Sequence, residues 1–168
     1  MDVPALLARM ERLPDALDAM LSHLPAEDWR WRPASGGWSI VEVVGHLVAE
    51  EVDDFRTRLR HLLEDPSRAW APLDPEAAVR AGDFQRLDPA ATLARLRHER
   101  AISVAWLRTL AAAPWDNARP TPHHGPLHAG DLLASWAAHD ARHLEQLAKR
   151  LHGLAGRDGA PYAVGYAG

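Results

Sequence analysis

Apolar residues recur at intervals of three and four along four stretches of this chain, and this pattern constrains the fold more than any other feature. The stretches cover approximately residues 3–23, 39–65, 88–114 and 129–152. No stretch shows the alternation of apolar and polar residues that is typical of strands. Four helices with one apolar face each can bury those faces only against one another. The sequence therefore predicts an all-α fold, a four-helix bundle with a long crossover connection between helices 2 and 3.

Local signals indicate where these helices begin and end. Ser39 followed by Glu42 has the pattern of a capping box at the start of the second helix. The pair Asp88–Pro89 supplies an N-cap and a first-turn proline to the third helix. We expect Pro14 to kink or divide the first helix, because proline lacks the amide hydrogen that the helix needs. We expect Gly153 to end the fourth helix.

The connections carry most of the proline and glycine residues. Residues 25–38 are predicted to form an irregular loop. Residues 65–87 are predicted to form a long connection with a short helical turn near residues 75–81. We expect a single four-helix-bundle domain over residues 1–153, followed by an irregular C-terminal tail over residues 154–168.

Composition excludes several classes of function. The net charge of -4 and the scattered arginines disfavour nucleic-acid binding. No apolar run is long enough to cross a bilayer, and the N-terminal residues lack the apolar core of a signal peptide, so we expect a cytoplasmic protein without a membrane partner. The chain has no cysteine, which excludes disulfides, cysteine-ligated zinc and a cysteine nucleophile. Any thiol chemistry would need a thiol from outside the chain.

His139 and His143 lie four residues apart in the last helix, on the face that carries Leu132, Trp136 and Leu147. Side chains at this spacing are neighbours, close enough to share one ion. A buried imidazole needs partners for both ring nitrogens. Two interpretations remain open: the pair binds a metal, or carboxylates and backbone groups satisfy it and it only packs.

A third histidine, His46, lies at the edge of the apolar face of the second helix. Glu42 and Glu50 lie one turn away on either side, and Gly45 beside it allows a close approach by another element. His46 could join a metal site, or it could be a boundary histidine bonded to Glu50.

The remaining seven histidines carry less information. Four are expected on the solvated surface near helix ends, and three cluster in a loop without fixed ligand geometry, where we favour a surface loop over an adventitious metal site. The first group comprises His23, His61, His98 and His152, and the second His123, His124 and His128.

Two motifs together resemble the DinB-like superfamily (DinB/YfiT type), which includes mycothiol- and bacillithiol-dependent enzymes. They are GGWSIVEVVGHLVAEE at residues 36–51 and SWAAHDARHLEQL at residues 135–147. In that family a Trp-Ser/Thr helix start leads to a histidine on the second helix, and an H-x-x-x-H pair lies on the last helix. The resemblance implies that His46, His139 and His143 are the three metal ligands of a facial site.

The resemblance also implies a divalent transition metal, with zinc or nickel as the leading candidates and iron as a third. Three nitrogen ligands leave a coordination position open, so the ion could activate water or a thiol. The leading hypothesis is a transferase that moves a low-molecular-weight thiol to a small electrophile. The alternatives are a metal-dependent hydrolase of small molecules and a stress-related metal-binding protein without turnover. Family members often form homodimers, which we carry over as an expectation.

Neighbouring groups should orient the imidazoles. Glu50 and Asp140 are the candidates, although Asp140 is turned about 100° around the helix from His139 and could pair with Arg142 or another helix instead. Trp38 could form a wall of the site, but we favour a packing role at the helix start.

Overall fold

The computed structural model describes residues 1–70, 74–110, 112–121 and 125–167. In chain order its helices are α1 (Val3–Leu21), α2 (Ala26–Arg30), α3 (Ile40–Ala49), a π-helical segment (Glu50–Phe55), α4 (Arg56–Glu64), α5 (Pro75–Ala81), a 3-10 turn (Phe84–Arg86), α6 (Pro89–Arg108), α7 (Ala129–Asp158) and a second 3-10 turn (Gly165–Ala167). Two strands, β1 (Ala118–Thr121) and β2 (Gly125–His128), precede α7. The all-α four-helix bundle is confirmed, with this hairpin as a small addition.

Four long rods form the bundle: α1, the continuous α3–π–α4 rod, α6 and α7. α1 contacts both α6 and α7, and so does the α3–π–α4 rod. Residues 65–88 make the long crossover between the second and third rods. Among the described residues, no helix combines the length and apolarity that a membrane span requires.

The interior consists of two apolar clusters separated by a layer of polar side chains. The first cluster contains Leu17, Leu21, Trp29, Val44, Leu47, Leu96 and Leu147 among others. The second contains Met10, Phe55, Leu59, Leu107, Leu133 and Trp136 among others. The buried polar residues of the intervening layer are Glu50, Glu51, Arg100, Ser103, Asp140 and His143.

The predicted helix starts are confirmed. Glu42 reaches back and accepts a hydrogen bond from the backbone N–H of Ser39 at 2.8 Å. The side chain of Asp88 accepts from the backbone N–H of Ala91 at 2.8 Å, so it caps α6. The short helix expected in the crossover is α5, which Asp74 caps in the same way.

Several boundaries differ from the sequence-based expectation. Pro14 lies inside α1 and is buried, and the helix continues through it instead of dividing. Residues 25–38 contain the short helix α2 where an irregular loop was expected, and α6 ends at Arg108 instead of near residue 114. The strands were not predicted because their residues, ARPT and GPLH, show no alternation of apolar and polar side chains; backbone pairing and a hydrogen bond from the Thr121 hydroxyl to the Gly125 carbonyl oxygen join them. The loop residues His123 and His124 lie outside the described residues.

The prediction that Gly153 ends the last helix is wrong. α7 continues to Asp158, and Leu154 beyond the glycine is buried in the first apolar cluster. A Cβ atom at Gly153 would lie 2.9 Å from the indole of Trp31, so the glycine makes room for a packed ring. The tail expected to be irregular from residue 154 therefore begins after Asp158.

Candidate metal centre

Three imidazoles from two rods meet at one point between the apolar clusters. The Nε2 atom of His139 lies 3.3 Å from that of His46 on α3 and 3.0 Å from that of His143, one turn further along α7. The three possible ligand atoms all lie within 4.8 Å of one another. The side chains that the sequence singled out are therefore brought together by the packing of α3 against α7.

Two of the imidazoles face a partner through their other nitrogen. Nδ1 of His143 lies 2.7 Å from Oε1 of Gln146, and Nδ1 of His46 lies 3.6 Å from Oε1 of Glu50. An Nδ1–H directed at these oxygens leaves the lone pair of Nε2 facing the other histidines. Gln146 was missed from the sequence, although its position three residues after His143 places it on the same helix face.

Burial keeps the imidazoles neutral. It lowers the pKa of His46 to about 4, with a further contribution from His143. It also lowers the pKa of His139 to about 3, assisted by the charges of the two other histidines and of Arg100 and Arg142. Neutral imidazoles are the form that binds a metal ion.

The donor set fits a divalent transition metal. Nitrogens 3.0 and 3.3 Å apart either share a proton in an N–H···N hydrogen bond or, as lone pairs, need an electron-pair acceptor between them. Imidazole nitrogens bind zinc at about 2.0–2.1 Å, which in a tetrahedral arrangement separates two nitrogens by about 3.3 Å. The distances from His139 to His46 and to His143 are close to this value, and all three ligand atoms lie within 4.8 Å of one another.

Aromatic rings enclose two sides of the cluster. The Trp38 ring lies against His46 with centroids 4.8 Å apart and also packs against the first apolar cluster, so both roles considered for it are present. Phe55 presents an edge contact to His139 at 5.1 Å and stacks on Trp136. The histidines open into a cleft of about 820 Å³ that Glu50 also lines.

Glu50 lies beside the cluster, as expected. Burial raises its pKa to about 8, with further contributions from Asp54, so the carboxyl group is largely protonated at neutral pH without a bound cation. Its Oε1 atom lies 3.6 Å from Nδ1 of His46, an electrostatic contact that is longer than a hydrogen bond.

Asp140 does not orient the imidazoles. It accepts two hydrogen bonds from the guanidinium of Arg100 on α6, one of them at 2.9 Å. Arg100 also binds Glu51, and the indole N–H of Trp136 donates to Glu51 at 3.1 Å. The sequence left open whether Asp140 orients an imidazole, pairs with Arg142 or pairs with another helix. The structure shows the pairing with another helix.

The sequence held a signal for this buried ion network. Arg100 interrupts the apolar face of α6 that Leu96 and Val104 occupy one turn to either side. A charged residue at an inward position predicts a buried partner of opposite charge.

The fold and the three-histidine cluster define a class: four-helix-bundle proteins with a candidate metal centre between the second and the last long helix. The family model of the DinB superfamily matches residues 9–147, a range that includes all three histidines. This chain belongs to the DinB superfamily, which confirms the resemblance noted above.

The fold has a relative among solved structures. YfiT from Bacillus subtilis, described as a probable metal-dependent hydrolase with an unusual four-helix bundle topology, is similar with a TM-score of 0.78 and 22% identity. The similarity covers 94% of this chain and 87% of YfiT, and it shows a shared fold. No curated protein matches this chain.

Proposed function

We propose that this protein is a divalent-metal-dependent hydrolase of small molecules, with the ion held by His46, His139 and His143. The observation that carries the proposal is the convergence of three neutral Nε2 atoms at the floor of an open cleft. The description of YfiT as a probable metal-dependent hydrolase supports the same reaction class.

The chain's own groups prepare the site. Gln146 orients one of the ligands and Glu50 lies beside another, while Trp38 and Phe55 exclude water from the sides of the cluster. A bound ion such as Zn²⁺ would supply Lewis acidity and lower the pKa of water toward 7. The cleft of about 820 Å³ is large enough for a small substrate.

The nucleophile of hydrolysis is water, which is present in any cleft that is open to solvent. Thiol transfer, which the family resemblance implies, would need a separate thiol molecule because the chain has no cysteine. Both reactions would use the same ligands, so a panel of esters and other electrophiles with and without added thiols distinguishes them.

The first experiment measures metal content and turnover in protein purified without a histidine tag. We expect about one zinc or nickel ion per chain, lost in His143→Ala because two imidazoles hold an ion poorly. His98→Ala is the matched control, since His98 is exposed on α6. Ester hydrolysis without thiol, lost in His143→Ala and on chelation, would support the proposal.

Other outcomes decide against it. Equal metal content in wild type and His143→Ala would overturn the metal centre. Consumption of an electrophile only in the presence of a thiol would replace hydrolysis with transfer. Metal binding without any turnover would favour the non-catalytic metal-binding protein.

A further inference from the structure

One face of α7 lines the cleft beside the histidines for more than two turns. Most cleft-lining positions on this helix follow the helical spacing of three and four, and Glu145 lines the cleft as well: His139, Arg142, His143, Glu145, Gln146, Lys149 and Arg150. The candidate metal centre is therefore one part of a longer surface, which also carries three cationic side chains.

Arg150 is held in place without a negative partner. Its Nε donates to the carbonyl oxygen of Trp38 at 2.6 Å, and the side chain is half-buried. Its guanidinium packs over Gly37, where a Cβ atom would lie only 2.8 Å from one terminal nitrogen. Within the described part of the chain, no carboxylate forms an ion pair with it, so its terminal N–H groups can serve a ligand.

Arg142 lies between His139 and His143 in sequence and on the same face of the helix. It lines the same cleft as both histidines, and, after the hydrogen bond from Lys149, its charge also lowers the pKa of the neighbouring Glu145. It is exposed and, like Arg150, forms no ion pair with a carboxylate of the described residues.

The other charged groups of the cleft are engaged elsewhere. Lys149 binds Glu145 at 2.6 Å, so the two charges balance. Glu76 accepts from the indole N–H of Trp38 at 3.1 Å and lies 3.8 Å from Arg80. Glu50 also lines the cleft, and burial raises its pKa to about 8. Arg142 and Arg150 remain as the two guanidinium groups of the cleft that form no ion pair with a described carboxylate.

We propose that Arg150 and Arg142 bind oxyanion groups, carboxylate or phosphate, at two points of a small anionic substrate whose reacting group lies at the histidines. A guanidinium presents paired N–H donors that match both anions. The two arginines are eight residues apart, about 12 Å along the helix axis, so the cleft suits an extended molecule. The inference rests on the proposed function for its chemistry, but anion binding can be measured without turnover.

The test is calorimetric titration of the full-length protein with succinate and with inorganic phosphate, in metal-free and zinc-loaded forms at constant ionic strength. We expect Arg150→Gln and Arg142→Gln each to weaken binding about tenfold, the usual effect of losing one charge-assisted hydrogen bond. The matched control is Arg95→Gln, because Arg95 is exposed on α6 outside the cleft. Comparison of the two anions identifies which group the site prefers.

Succinamide, the neutral counterpart of succinate, should bind much more weakly. The inference is overturned if wild type binds neither anion, if both arginine variants bind as wild type does, or if succinamide binds as well as succinate. Binding only to the zinc-loaded form, unchanged by the arginine substitutions, assigns the anion to the ion alone and also overturns it. Loss of zinc in His143→Ala tests the metal centre separately.

Discussion

At the scale of single residues, the guanidinium of Arg100 is the charge around which the polar layer is arranged. It is 2% exposed, and it binds Glu51, Asp140 and the backbone carbonyl of Met10. Burial raises the pKa of Asp140 in spite of the adjacent guanidinium, so removing water from this cluster is costly. Each charge in the layer is tolerated only because its partners are present.

Arg100→Met should therefore destabilise the protein strongly. The substitution leaves Glu51 and Asp140 buried without a counter-charge, which typically costs about 3–5 kcal/mol. Urea unfolding measures the change in the free energy of unfolding. The control is Arg95→Met on the exposed face of the same helix, where we expect the free energy of unfolding to change by less than about 0.5 kcal/mol. A similar small change for Arg100→Met would contradict this account.

The lowered histidine pKa values predict a pH dependence of the metal-free protein. The pKa of His139 is about 3 in the folded chain, whereas the ordinary value for a histidine is 6.5. Between these values the unfolded chain binds more protons, so stability falls as the pH falls below about 6.5, by no more than about 1.4 kcal/mol per pH unit for this group.

His139→Gln should flatten this dependence, because glutamine does not titrate. Urea unfolding at several pH values between 4.5 and 7.5, in the presence of a chelator, gives the difference between wild type and variant. Taking the difference removes the opposing contribution of Glu50, whose raised pKa reduces stability as the pH rises from 4.5 to about 8. If the free energy of unfolding changed with pH equally in the two proteins, folding would not lower the pKa of His139.

At the scale of elements, the π-helical segment determines which side chains of the second rod face inward. Glu50, Glu51, Asp54 and Phe55 are all buried within this single segment. At about 100° per residue, a regular α-helix would spread these four positions over about 140° of its surface, and the extra residue per turn of a π-helix draws them together. The wider turn of the π segment therefore brings Glu50 to the histidines and Glu51 to Arg100 on the same level of the bundle.

The crossover packs on α3 at Gly45, one residue before His46. A Cβ atom there would lie 2.8 Å from Leu87 and 3.0 Å from the ring of Phe84. Gly45→Ala should destabilise the protein by about 1 kcal/mol, because the overpacking cost exceeds the gain in helix propensity. Thermal unfolding and metal affinity measure the effects on fold and site.

Gly156→Ala in α7 is the matched control. There the nearest atom, in Val164, is 3.6 Å away, which is ordinary contact. We expect a small gain in stability from the same change of residue. Equal effects at the two glycines would show that the close approach at Gly45 has no energetic consequence.

At the scale of the whole molecule, an ion at the three histidines would join α3 to α7 between the two apolar clusters. Because the ligand set exists only in the folded chain, metal binding should raise stability by mass action, about 4 kcal/mol when the free metal exceeds its Kd a thousandfold. Thermal unfolding with increasing zinc or nickel should show a rising midpoint that a chelator reverses. An equal rise in His143→Ala would place the ion elsewhere.

The sequence by itself determined the fold class, the helix starts at Ser39 and Asp88, and the shared face of His139 and His143, because these depend on local spacing and capping. The motifs at residues 36–51 and 135–147 also identified the family. The spacing of apolar residues along the sequence does not reveal an extra residue in a helical turn. The π-helical segment therefore depends on packing and could not be predicted.

Tertiary structure also decided the partners of the buried charges. Asp140 pairs with Arg100 because α6 lies beside it, and the spacing of residues along α7 does not predict this contact. The helix continues through Gly153, where the Trp31 ring packs against the glycine backbone. This contact joins distant parts of the chain. Interactions within a few residues can be read along the sequence, whereas those between rods depend on how the rods pack.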